Sequence, residues 1–86
     1  MQSDTVKQAI HAKIAELAAQ LGNNATNLKN DDEIPASGLL DSAALMELIL
    51  WFETKYGLAI EEDQITVDNF GTIDAMTKYL EQHVRS

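Results

Sequence analysis

The chain has no cysteine, so neither a disulfide staple nor a thiolate is available for redox or metal chemistry, and cysteine usage does not fix the compartment. It has one proline and four glycines in 86 residues, and no internal repeat or low-complexity segment is present. Basic residues are also scarce, at six against fourteen acidic ones, giving a formal net charge of −8. A surface of that sign repels nucleic acid, whose binding depends on cations that displace counterions from phosphate. No apolar run approaches the length of a membrane span, and the first residues lack the continuous apolar core of a signal peptide. The expectation is a cytoplasmic monomer that binds neither nucleic acid nor membrane. An acidic surface suits partners with basic docking patches, although it also serves simple solubility.

Catalytic hardware is equally sparse. The two histidines, His11 and His83, lie near opposite ends with no cysteine or paired carboxylates at ligand spacing. Asp31-Asp32-Glu33 lacks the alternating ligands and central glycine of a calcium loop. There is no phosphate-binding glycine loop and no nucleophile elbow. No metal site and no enzyme are expected. A chain of this length makes one small domain, residues 1–86, burying roughly 60 to 65% of its unfolded surface.

What is present is helical periodicity. Val6, Ile10, Ile14, Leu17 and Leu21 fall within an arc of about 80° at 100° per residue. A first helix can therefore start at a cap on Ser3 or Asp4 and run to about Leu21, where Gly22-Asn23-Asn24 ends it. Residues 22–40 read as a long connection, held to the core by Leu28 and Ile34, with Pro35 preventing a helix from continuing through it. A second helix should span about Ser42 to Tyr56 and stop at Gly57. Its core face carries Leu45, Leu48, Ile49, Phe52 and Tyr56, while Ala43, Met46 and Leu50 lie well off that direction and Trp51 on the opposite flank. A helix apolar beyond its core stripe offers a contact surface, with extra core packing as the plainer reading. Val67 to Phe70 makes a short third helix with Ile65 and Phe70 as anchors. Thr72 caps a last helix whose apolar positions are Ile73, Met76, Leu80 and Val84. The fold class is all-α, a small four-helix bundle of three longer helices and one short third helix, with a long loop between helices one and two.

The most informative stretch is Gly38-Leu39-Leu40-Asp41-Ser42, which opens the second helix. Asp41 or Ser42 can cap it by accepting bonds from unpaired first-turn amides. That is the structural explanation of the pair, and it needs no function. The setting suggests more, because a long loop delivers the serine and the helix end favours an anion such as a phosphate ester.

With Asp41-Ser42 opening helix two and Phe70-Gly71-Thr72-Ile73 leading into the last helix, the chain resembles the acyl and peptidyl carrier proteins over nearly its whole length. The resemblance implies that Ser42 receives 4'-phosphopantetheine from coenzyme A through a phosphopantetheinyl transferase. It implies that Asp41 is the motif acid that works near the transferase's metal. It further implies that Ala43, Met46, Glu47 and Leu50 face partners. These would be an acyl- or aminoacyl-loading ligase or synthase, and a downstream transferase or condensing enzyme. The cargo would be an acyl or aminoacyl thioester in fatty-acid, polyketide or related metabolism.

Two departures from that family pattern bear on partners. Ala43 stands where the family usually has Leu or Ile, and helix two has only Glu47 and Glu53 as acids, opposed by Lys55. Docking should then lean on apolar contact more than on charge, and the Gly-Leu-Leu-Asp-Ser form resembles stand-alone carriers of specialised pathways, aminoacyl and D-alanyl carriers among them. The alternative is a carrier-fold helical module that is never modified, with Ser42 as a cap and Met46, Leu50 and Trp51 as a protein-binding site.

Overall fold

The computed structural model describes residues 3–83, and no β-strand forms among them. Five helices occur in the order α1 (Ser3–Gln20), α2 (Ile34–Ser37), α3 (Ser42–Tyr56), α4 (Val67–Phe70) and α5 (Ile73–His83), with one 3-10 turn at Glu62–Gln64. The three long helices share one core, in line with the expected all-helical bundle. Val6, Ile10, Ile14 and Leu17 of α1 meet Leu48 and Phe52 of α3 and Ile73, Met76 and Leu80 of α5 there. Phe52 joins the halves through edge-on rings, 5.2 Å from Tyr56 and 6.1 Å from Phe70, and Phe70 in turn lies 4.8 Å from Tyr79. Burial pushes the Tyr79 phenol above its ordinary pKa, and the carboxylates of Glu53, Asp63 and Glu61 push it the same way.

Four expectations meet a different outcome at the ends of elements. Leu21 is 44% exposed rather than part of the α1 stripe. The helix stops at Gln20 because Gly22 turns left-handed at φ 78°, so that Asn23 N–H bonds the Ala18 carbonyl at 2.8 Å and Gly22 N–H the Ala19 carbonyl at 3.0 Å. That cap swings Leu21 off the face, and Ala18 takes the buried place. Asp4 lies in the first turn of α1 rather than ahead of it. Pro35 does not exclude a helix from the long loop: it sits in the first turn of α2, where a missing N–H costs nothing. Ile65 is only partly buried and stands outside the core cluster, leaving Phe70 as the anchor of α4. Val84, the last position of the expected α5 stripe, lies outside the described residues.

The loop between α1 and α3 is stitched down along its length. Ile34 is fully buried, and its N–H bonds the Gly71 carbonyl at 2.7 Å. Asp74 N–H bonds the Asn30 carbonyl at 3.0 Å, and the Asn23 amide donates to the Leu39 carbonyl at 2.9 Å. These bonds satisfy backbone groups that a free loop would leave to water, and they fix where α3 begins. Thr72 caps α5 as expected, its hydroxyl accepting from Ala75 N–H at 2.9 Å.

Candidate attachment site

The approach to α3 is set by three residues. Gly38 ends α2 at φ 74°, Leu40 is buried, and Asp41 then takes an extended conformation at φ −85° and ψ −179°. From there Asp41 caps α3. Its Oδ1 accepts from Ala44 N–H at 2.8 Å, and its carbonyl accepts from Leu45 N–H at 2.9 Å, the first bond of the helix. The choice between Asp41 and Ser42 as cap is therefore decided in favour of Asp41.

Ser42 is left over. It is exposed, it is the first residue inside the helix, and its hydroxyl makes no hydrogen bond among the described residues. Oδ1 of Asp41 satisfies the third amide of the turn, so the amides of Ser42 and Ala43 remain free to face an anion. No histidine borders the cavity at Ser42, and no cluster of three potential metal ligands occurs among the described residues. A serine without a base cannot serve as a hydrolytic nucleophile by itself.

The surface beside Ser42 is apolar. A cavity of about 280 Å³ runs between α3 and α4, with Ser42, Met46, Ile49, Ile65, Val67 and Phe70 among its walls. Around α3, Ile49, Ser42 and Met46 fall within an arc of about 60°. Ala43 and Glu47 are exposed, and Met46 and Leu50 are exposed by 46% and 57%, so all four expected partner-facing residues reach the surface. Only Met46 of the four lines the cavity. Trp51 does not join this surface, since it packs against the core cluster and lies 6.3 Å from the Tyr56 ring.

Val67, exposed by 56%, is the functional candidate that the sequence reading passed over.

A family model described as the phosphopantetheine attachment site matches residues 12–80 of the chain. The chain belongs to this family. No curated protein matches it. Members carry covalently attached 4'-phosphopantetheine, act as carriers rather than enzymes, and work with a phosphopantetheinyl transferase and the enzymes of a pathway. The arm supplies a terminal thiol on which a group can ride as a thioester. The residues present fit it, because attachment needs an accessible hydroxyl that the fold does not already use, and a phosphodiester sits well against free helix amides.

Proposed function

We propose that Ser42 is the residue that bears the arm, and that the protein holds an acyl or aminoacyl group on it as a thioester. The observation that carries this reading is the free, exposed Ser42 hydroxyl, held at the start of α3 while Asp41 does the capping. In the loading step the serine oxygen forms a bond to the phosphorus that carries the pantetheine in coenzyme A. The pyrophosphate P–O bond breaks, the adenosine bisphosphate departs, and the hydroxyl proton is lost to the transferase or to solvent. The carboxylate of Asp41 lies one residue away and is the candidate for positioning the transferase's metal. The holo protein then moves its cargo from a loading ligase or synthase to a downstream transferase or condensing enzyme. It serves fatty-acid, polyketide or related specialised metabolism in the cytoplasm. Ala43, Met46, Glu47 and Leu50 form the face these enzymes meet.

Incubation with coenzyme A and a broad-range transferase, followed by intact mass measurement, tests the assignment. One phosphopantetheine should be gained by the native chain and none by Ser42→Ala. A folded native protein that gains nothing from several transferases sinks the reading. It would favour an unmodified binding module that acts through the α3 surface, a reading supported by the small Ala43 beside the serine.

A further inference from the structure

Both backbone polar groups of Leu39, three residues ahead of Ser42, are held by side chains. The Ser37 hydroxyl accepts the Leu39 N–H at 3.2 Å while donating to the Ile34 carbonyl at 2.6 Å. From the other side, the Asn23 amide donates to the Leu39 carbonyl at 2.9 Å, across sixteen residues of chain. Asn23 springs from a fixed base, because its own N–H bonds the Ala18 carbonyl in the cap that closes α1. Leu40 is buried next, and Asp41 then caps α3. The end of α1 therefore grips the approach to Ser42 through one side-chain donor, no more than about 11 Å of extended chain before the serine.

The core has no need of this bond. Asn23 is exposed, and water can take its place on the Leu39 carbonyl, so the contact adds little to global stability. What it adds is direction. Without Asn23 the segment from Gly38 to Leu40 is held by Ser37 on one side only, and Gly38 lies at φ 74° in the region where glycine has the most freedom.

We infer that Asn23 is a positioning residue for arm attachment: its amide fixes the Leu39 carbonyl and thereby the place of the Ser42 hydroxyl on which the transferase acts. The inference rests on the carrier reading and adds to it a residue on a different element, remote in sequence from the serine. A small displacement of an attacking oxygen from the phosphorus slows the chemical step. It leaves the partner-facing side chains of α3 as they were, so binding of the transferase is spared.

The test measures single-turnover transfer from coenzyme A by a broad-range phosphopantetheinyl transferase, over a range of transferase concentrations. Asn23→Asp sets an acceptor against the Leu39 carbonyl and should lower the maximal rate about fivefold or more, with Asn23→Ala lower by about threefold. In both, the half-saturating concentration should stay within about twofold of native. Asn23→Gln keeps the donor and should restore most of the rate. Asn24→Asp is the charge control: Asn24 Oδ1 accepts the Thr26 N–H at 2.8 Å, a role that a carboxylate keeps, so its rate should stay within about twofold. In Asn23→Asp the Leu39 amide should exchange about threefold faster or more, while the Leu48 and Met76 amides of the core helices keep their native rates. Melting should shift by less than about 2 °C. Equal losses in Asn23→Asp and Asn24→Asp assign the effect to charge and overturn the proposal. A loss confined to the half-saturating concentration makes Asn23 a docking residue, and a loss matched by lowered melting makes it structural only; either result also overturns it. A native chain that loads, with Asn23 variants that load as fast, overturns this proposal alone. Failure of the native chain to accept an arm from several transferases removes the carrier reading and this proposal with it.

Discussion

Asp41 joins two roles that substitution can separate. Its carboxylate accepts the Ala44 N–H at 2.8 Å, and it is also the charge nearest the Ser42 hydroxyl along the chain. Removing such a cap costs about 1 kcal/mol, within a range of roughly 0.5 to 2, and asparagine caps about as well as aspartate. A chain of this length has roughly 4 to 13 kcal/mol of stability in total. Asp41→Ala should therefore lower the melting temperature by about 4–8 °C. Asp41→Asn keeps the acceptor and gives up only the charge at the helix end, about 0.3 to 1 kcal/mol. Thermal unfolding followed by circular dichroism ranks the three proteins as native, then Asn, then Ala. Transfer of phosphopantetheine should rank them differently, with Asn and Ala both down by at least about tenfold in kcat/KM, since both lack the carboxylate. Equal melting losses in the two variants refute the capping account. Full transfer activity in Asp41→Asn refutes the role of the charge and leaves Asp41 a cap only.

Two further outcomes follow from the packing. In Gly71→Ala the new Cβ meets the Val67 carbonyl oxygen and lies 2.7 Å from Val67 Cγ1, so α4 must move. The net loss should be about 1–2 kcal/mol after the smaller gain from a stiffer unfolded chain, measured by urea denaturation. Tyr79 has a pKa raised in the folded protein, chiefly by burial and then by Glu53, Asp63 and Glu61. Its contribution is intact below the unfolded value of about 10 and is lost as pH rises above it, because only the unfolded chain readily gives up the proton. Stability measured from neutral pH upward should be level to about pH 9 and then fall, with a shallower fall in Tyr79→Phe. An equally steep fall in that variant contradicts the reasoning.

Long-range order was easiest to read where one period governed many residues. The α1 stripe as far as Leu17, the α3 core positions and the run from Ile73 to Leu80 each repeat over several turns, and these residues are buried or packed against the core. The place of Asp41-Ser42 at the start of α3 was legible for a different reason: a capping pair follows a loop and precedes an apolar helical run. Harder to read were places where a single local bond outweighs the pattern. Leu21 continues the apolar period of α1, yet the left-handed Gly22 closes the helix before it. The α2 turn depends on a bond from Ile34 to Gly71, a residue far along the chain that no local window includes. The cavity beside Ser42 combines residues of α3 with others beyond Gly57, so no helical wheel of one element could reveal it.

This arrangement also explains why stability and partner contact should respond to different substitutions on the same helix. On α3, Leu48 and Phe52 are buried in the common core, whereas Met46 and Leu50 carry no core load and can change at little cost to folding. Gly71 breaks that separation. Its carbonyl holds Ile34 in the loop that delivers Ser42, while its lack of a side chain lets Val67 sit close at the far wall of the cavity. A shift there moves the serine's approach and the cavity's width together. Loss of transfer in Gly71→Ala should therefore exceed what its loss of stability explains, because the folded fraction still presents a displaced site. In Met46→Asp, the transfer loss should come with an almost unchanged melting point. Measuring both quantities in both proteins separates a misplaced attachment site from a spoiled docking surface.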